Sequence, residues 1–314
     1  MKKDFKIKGV VFGQAIGDAL GLGTEFMTRE DVAKYYPEGY SWYDQIIQDS
    51  HRRRWHKGDW TDDTDMWLCI ANAIIDNDGE VNLTAIAQNF KNWHNGTPLG
   101  CGGHINKVLM MGDYVEKPFE CSELWWKLSR ENAAANGALM RTSILGILPN
   151  YRPQMAEDVC KLTHYDPRCI GSCVLLCSLI HSLIYEKFPM SFEQMVAIAD
   201  KYDSRIREYV IKAKEGNFED VAIDDYAMGY TLNSLFVALW TYFHTDSFEE
   251  GLLKVVNAGG DADTNAAIAC SLLGAKFGFF SIPDYYWQNL YRKDILTIIS
   301  SKLVNLLDMN ICQI

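Results

Sequence analysis

The sequence predicts an all-α fold, a single compact domain over residues 1–314, on three observations. Apolar residues recur at spacings of three and four along nearly every segment, alternating runs long enough for a sheet are scarce, and no repeat of fixed period appears. The last disfavours a helical solenoid. At 314 residues and 48% hydrophobic composition, the chain can bury a sizeable core.

The elements follow in order. A first helix over 6–22 carries glycines at 9, 13, 17 and 21, an i+4 stripe that permits close helix approach. After the Pro37-Glu38-Gly39 break, a helix over 63–76 shows Met66, Ile70, Ala73 and Ile74 on one face and stops at Asn77-Asp78-Gly79. Helices over 83–94, 103–111, 122–130 and 138–147 follow, the first ended by Asn95-Gly96-Thr97-Pro98. Pro149 and Pro153 bound the next turn, before helices over 155–163, 167–186, 191–200 and 204–214. Leu232, Leu235, Phe236 and Leu239 mark a helix over 229–243, and 247–257, 262–277 and, beyond Ser281-Ile282-Pro283, 284–307 complete the set. None of the breaks is long enough, or low enough in complexity, to be an interdomain linker.

A net charge of −11 argues against general nucleic-acid binding, which draws its affinity from Lys and Arg on phosphates. The one basic run, His51-Arg52-Arg53-Arg54, reads as a solvated loop. The lysines near the N-terminus precede an apolar stretch broken by Gly13, Gln14, Gly17 and Asp18, so neither a signal peptide nor a membrane span is expected there. Nine scattered cysteines suit reduced thiols in a cytoplasm. Cys169, Cys173 and Cys177 stack at i+4 on one helix face as core residues, since no histidine or fourth cysteine completes a zinc set.

Two acidic clusters carry the chemistry. Thr61-Asp62-Asp63-Thr64-Asp65 and Gly259-Gly260-Asp261-Ala262-Asp263-Thr264 each open an apolar helix. Capping accounts for one Asp or Thr at a helix start, not for three acids and two hydroxyls in five residues. If the two starts face each other, like-charged pairs at about 4 Å cost roughly 4 kcal/mol each at an effective dielectric near 20. Such a cluster needs cations or protons, and oxygen-only ligands favour Mg²⁺, Mn²⁺ or Ca²⁺. A structural pair of capped helices is the competing account. A third element, Gly13-Gln14-Ala15-Ile16-Gly17-Asp18-Ala19-Leu20-Gly21, places Asp18 in a tightly packed helix where it can bond groups behind the acids, and Glu25 just past it in a segment expected to be mobile.

These elements, together with Asn136-Gly137-Ala138-Leu139-Met140-Arg141, Thr163-His164-Tyr165-Asp166-Pro167 and Gly229-Tyr230, resemble the ADP-ribosylglycohydrolase family in order over about residues 9–278. The resemblance implies a compact orthogonal helix bundle holding two Mg²⁺ or Mn²⁺ ions. Their implied ligands are Thr61, Asp62, Asp63, Asp261, Asp263 and Thr264. It further implies hydrolysis at C1 of the distal ribose of ADP-ribose, carried by an acceptor, commonly arginine or serine of a protein. Glu25 matches a mobile catalytic or gating glutamate, with Asp63 as the competing proton acceptor. Asn136, Gly137 and Ala138 match a diphosphate loop, His164 a wall of the ribose–phosphate region, and Tyr230 the acceptor side, with a mild lean to arginine. Arg141 reads equally as a phosphate contact or a buried ion pair. A monomer is expected.

Where many members carry Asp-Ile-Gly, this chain has Pro98-Leu99-Gly100-Cys101-Gly102-Gly103-His104, so an acid that could orient the acceptor is missing. The aromatic Tyr40-Ser41-Trp42-Tyr43-Asp44 reads as surface packing in preference to an adenine platform. A prenyl-diphosphate enzyme would want an acid where Met66 stands. The remaining alternatives are binding of ADP-ribose without turnover, and hydrolysis of a small ADP-ribosyl compound or an ADP-ribosylated nucleic acid.

Overall fold

Helices account for all the regular structure among residues 2–311, which the computed structural model describes, with side chains through Leu307. They are α1 Lys3–Gly21, α2 Arg29–Tyr35, α3 Asp62–Asp76, α4 Leu83–Asn95, α5 Gly103–Leu109, α6 Pro118–Leu128, α7 Leu139–Thr142, α8 Pro153–Lys161, α9 Pro167–Tyr185, α10 Phe192–Tyr202, α11 Ser204–Glu215, α12 Thr231–His244, α13 Phe248–Val256, α14 Ala262–Phe277, α15 Asp284–Gln288 and α16 Lys293–Ile311. No strand forms among the described residues; a lone bridge pairs Ala135 with Tyr230.

The centre of the fold is the α1–α14 pair. Its glycine stripe lies directly on the backbone of α14: a Cβ at Gly9, Gly13, Gly17 or Gly21 would sit 2.1–2.3 Å from the carbonyl oxygen of Gly274, Cys270, Ala266 or Ala262 respectively. Small residues thus line both helices at i+4, and main chain packs on main chain. This brings residue 18 beside the start of α14. α12 and α13 pack on the other side of α14.

α9, which begins with an Asp166 cap and Pro167, runs through the core beside α8, α10 and α12. It is long and apolar enough to cross a membrane, yet 83% of its most apolar window is buried inside the fold. Cys169, Cys173 and Cys177 are fully buried on it and free, as the spacing predicts.

Four local expectations change. α2 was not expected; Thr28 and Asp31 form a capping box that starts it. The stretch 138–147 is one turn of α-helix followed by a 3₁₀ segment, Ser143–Ile147, because the chain bends around α9, where a Cβ on Gly146 would meet the Cys177 carbonyl at 2.6 Å. Helix α6 starts at Pro118, four residues before the expected 122, with proline in the first turn. The expected helix over 284–307 breaks between α15 and α16, where Arg292 turns inward to bond Asp59, Asp65 and the Trp60 carbonyl.

Candidate metal centre

The two acidic helix starts meet as the spacing anticipates. The N-terminal turn of α3 stands against that of α14, with α1 between them. Thr61 caps α3 by position, but its side chain makes no cap bond of its own. Asp18 of α1 does that work from outside. Its Oδ1 accepts from Thr61 N and Oγ1, both at 2.9 Å, and its Oδ2 accepts from Thr64 N at 2.9 Å and Thr64 Oγ1 at 2.6 Å. Every lone-pair direction that matters is used, and the Thr61 hydroxyl is held 3.2 Å from Asp63 Oδ2 and 3.5 Å from Asp263 Oδ2.

At the start of α14, Gly259 and Gly260 take φ of +71° and +73°, and a Cβ on either would strike the Met27 or Ile223 carbonyl at 2.2 and 2.1 Å. Gly260 exchanges two 2.7 Å backbone bonds with Phe26 N and Met27 O, which fastens the chain around Glu25 to the α14 terminus. Asp261 accepts from Asn136 Nδ2 at 2.7 Å, and Thr264 Oγ1 lies 3.3 Å from Asp63 Oδ2.

Carboxylate oxygens of Asp18, Asp63 and Asp263 lie within 4.8 Å of one another, and so do those of Glu25, Asp261 and Asp263. The two groups share Asp263. Burial, reinforced by the neighbouring carboxylates, pushes Asp63 and Asp263 well above the ordinary carboxylate range. Burial likewise raises Asp18 to about 7 and Asp62 and Asp261 to about 6. Asp63 Oδ1 is buried with no hydrogen-bond partner. A buried, orphaned carboxylate oxygen among crowded acids fits a hard cation, so the residues present suit the expected ions. Thr61, Asp62, Asp63, Asp261, Asp263 and Thr264 all line one cavity of about 410 Å³, within the size range of small-molecule sites.

Asp65 turns the other way, to Trp60 Nε1, Trp93 Nε1 and Arg292. The cavity wall continues through Asn136, Gly137, Met140, Ile105, His104 and His164. Asn136 spends its backbone amide on the Gly229 carbonyl, and a Cβ on Gly137 would lie 2.8 Å from Ile105 Cδ1 and 3.2 Å from His164 Cε1, so a larger residue there would shift the cavity wall. Gly229 lines the cavity, whereas Ala138 is fully buried outside the lining and Tyr230 packs its ring under Arg168, with Arg168 Nη1 3.4 Å from its hydroxyl. Arg141 fits neither expectation. It is fully buried away from the cavity and, instead of an acid, meets the Thr163 hydroxyl at 2.6 Å, Met66 Sδ at 3.7 Å and the Phe90 ring at 4.4 Å. Trp42 packs on Tyr285 and Tyr286 away from the cavity, but Tyr40 and Tyr43 are buried in the core, so only part of this segment is the surface packing expected.

The basic run is the main residue-level miss. Arg52 is buried and donates to the carbonyls of Leu22, Gly23 and Glu25 and to Asp49. His51 Nε2 meets Glu25 Oε2 at 2.5 Å, and Arg54 bonds His51 and the Leu99 carbonyl. With Arg52 on one side and Gly260 on the other, the main chain at Glu25 is anchored, contrary to the expected mobile segment. No local pattern in the sequence signals the pairing, since Glu25 and His51 are 26 residues apart.

The chain matches the model of the ADP-ribosylglycohydrolase family over residues 1–311. It is 25% identical to an ADP-ribosylarginine hydrolase Tri1 of Serratia proteamaculans, covering 95% of this chain and 78% of that one. It is 27% identical to an ADP-ribosyl-[dinitrogen reductase] glycohydrolase of Rhodospirillum rubrum, covering 91% and 90%. A solved ADP-ribosylglycohydrolase-related protein complex shares the fold, with a TM-score of 0.78 at 24% identity over 98% of this chain and 99% of that one. The helix order, the facing acidic termini and the match along nearly the whole sequence lead to one conclusion: the chain belongs to the ADP-ribosylglycohydrolase family and is a hydrolase.

Proposed function

We propose that the protein is a metal-dependent hydrolase that releases ADP-ribose from a modified protein side chain by cutting the bond at C1 of the distal ribose. The observation that carries this reading is the pair of carboxylate groups sharing Asp263, of which Glu25, Asp63, Asp261 and Asp263 line one cavity and Asp18 is buried behind it. Two Mg²⁺ or Mn²⁺ ions suit that arrangement, with Thr61, Asp62, Asp63, Asp261, Asp263 and Thr264 as ligands. Bound there, such ions supply Lewis-acid polarisation of sugar oxygens and a water of lowered pKa.

The chain's own groups do the rest. Glu25, 8% exposed at the cavity edge and paired with His51, is suited to stabilise positive charge that develops on the sugar as the acceptor departs. Asp63, with one oxygen unpartnered, is the second candidate to take a proton. The loop at Asn136 and Gly137 and the ring of His164, which line the cavity, would receive the diphosphate and ribose, and Tyr230, next to the lining Gly229, would stand toward the acceptor. Arginine is the favoured acceptor because the Serratia relative is an ADP-ribosylarginine hydrolase. Eight free cysteines among the described residues suit a reducing cytoplasm.

The test is release of ADP-ribose from arginine- and serine-modified proteins with and without Mg²⁺ or Mn²⁺. Metal-dependent release is expected, faster from arginine. Binding of metal and ADP-ribose with no release from either substrate would leave a binding protein instead. Asp62→Ala combined with Asp261→Ala should abolish metal binding by calorimetry while circular dichroism stays helical.

A further inference from the structure

His104 lies in the stretch where the sequence lacks an acid, and its ring forms part of the cavity wall. Its Nε2 is 2.8 Å from the Thr163 carbonyl oxygen. A carbonyl only accepts, so Nε2 carries the proton and Nδ1 keeps its lone pair. The ring stacks on His164 with centroids 3.9 Å apart and planes 9° from parallel. Two stacked imidazolium ions at that distance would repel, and both rings are held neutral: burial pushes His104 down to about 4, and burial, then His104 and Arg141, push His164 well below its usual value. Nδ1 makes no hydrogen bond within the chain and is not among the buried atoms left without partners, so it is accessible on a residue that lines the cavity.

We propose that His104 is a specificity-determining residue of this site, its Nδ1 accepting a hydrogen bond from an uncharged donor of the bound nucleotide sugar, a ribose hydroxyl or the adenine amine. The assignment rests on the ADP-ribose reading of the cavity. A neutral acceptor favours such donors and disfavours phosphate oxygens, which offer lone pairs of their own. This acceptor is uncharged, and it is fixed in tautomer by the Thr163 carbonyl and in plane by His164.

The experiment is calorimetry with Mn²⁺ present, using ADP-ribose, its inosine counterpart lacking the adenine amine, and analogues each lacking one ribose hydroxyl. These are titrated into the wild type and into His104→Phe, which keeps a ring against His164. Melting and Mn²⁺ affinity check the variant's fold. The expected result is about tenfold weaker ADP-ribose binding by the variant, a single neutral hydrogen bond, with one analogue binding both proteins alike and so naming the donor. Equal ADP-ribose affinity in the two proteins, or the same loss for every analogue, overturns the proposal. ¹⁵N NMR of wild-type histidines gives a reading independent of the variant: an unprotonated His104 Nδ1 that shifts when ADP-ribose binds supports the assignment, and a protonated or unmoved one defeats it. If the wild type binds Mn²⁺ but no ADP-ribose, the reading of the cavity itself fails.

Discussion

Asp18 shows how much one carboxylate can organise from outside the cavity lining. It is fully buried and accepts four hydrogen bonds from Thr61 and Thr64, so it both caps α3 and aims the Thr61 hydroxyl toward Asp63 and Asp263. An amide in its place turns an N–H₂ toward donors that need an acceptor. Asp18→Asn is therefore expected to cost about 2 kcal/mol of stability and to weaken Mn²⁺ binding by roughly 10- to 100-fold, as for other groups that orient metal ligands. Urea melts and calorimetry read the two effects, and a variant with wild-type Mn²⁺ affinity would refute the role. The acids themselves were legible because three at the start of α3 exceed what capping needs, and a second acid pair opens α14 in the same way. His51 was not, because its partner Glu25 lies 26 residues away and their meeting depends on the Arg52 clamp to the backbone.

At the scale of elements, the geometry of the site is set by the contact between α1 and α14. The glycine stripe allows the two backbones to touch, and the separation of Asp18 from Asp263 is fixed by that contact. Gly17→Ala would push a methyl carbon to within 2.1 Å of the Ala266 carbonyl oxygen and 2.8 Å of Ala267 N, neither of which can give way inside a helix. The pair must separate, with an expected loss of about 3 kcal/mol in denaturant midpoint measurements. Metal affinity should fall with it, because the acids are pulled apart. Gly112→Ala is the control, since open space surrounds that position and it lies outside the cavity lining. The stripe was visible in the sequence as an i+4 period; its partner on α14 was less so, as Ala262, Ala266, Cys270 and Gly274 sit in a helix that is apolar nearly all round. The α15–α16 break was invisible for a different reason. No strong helix breaker marks residues 289–292, and the turn is imposed from outside by Asp59 and Asp65 drawing in Arg292. Patterns that repeat within one segment can be read from sequence, whereas those made by a distant partner cannot.

Over the whole molecule, the cluster makes stability depend on pH in a direction that most carboxylates do not. Asp62 and Asp261, raised to about 6, and Asp18, raised to about 7, bind protons more tightly in the fold than in the unfolded chain, where about 4 is usual. Without metal their contribution is fully present below about pH 4 and is lost as pH rises through those folded values. His104 and His164 act in the opposite sense. They are neutral in the fold, so their contribution is present above about pH 6.5 and is lost as pH falls toward 4. The two trends oppose each other in mildly acidic solution, but above about pH 6.5 only the carboxylates still act. Metal-free protein is thus expected to melt at a lower temperature at pH 8 than at pH 6.5. Mg²⁺ or Mn²⁺ must displace those protons to bind, so its protection should grow across the same interval and flatten or reverse the slope. Calorimetric scans at the two pH values, with chelator and with metal, measure both halves. A chelated protein whose melting temperature does not fall with rising pH, or a metal that protects equally at both, would mean that the acids are not the crowded, proton-sharing cluster that the buried helix termini create.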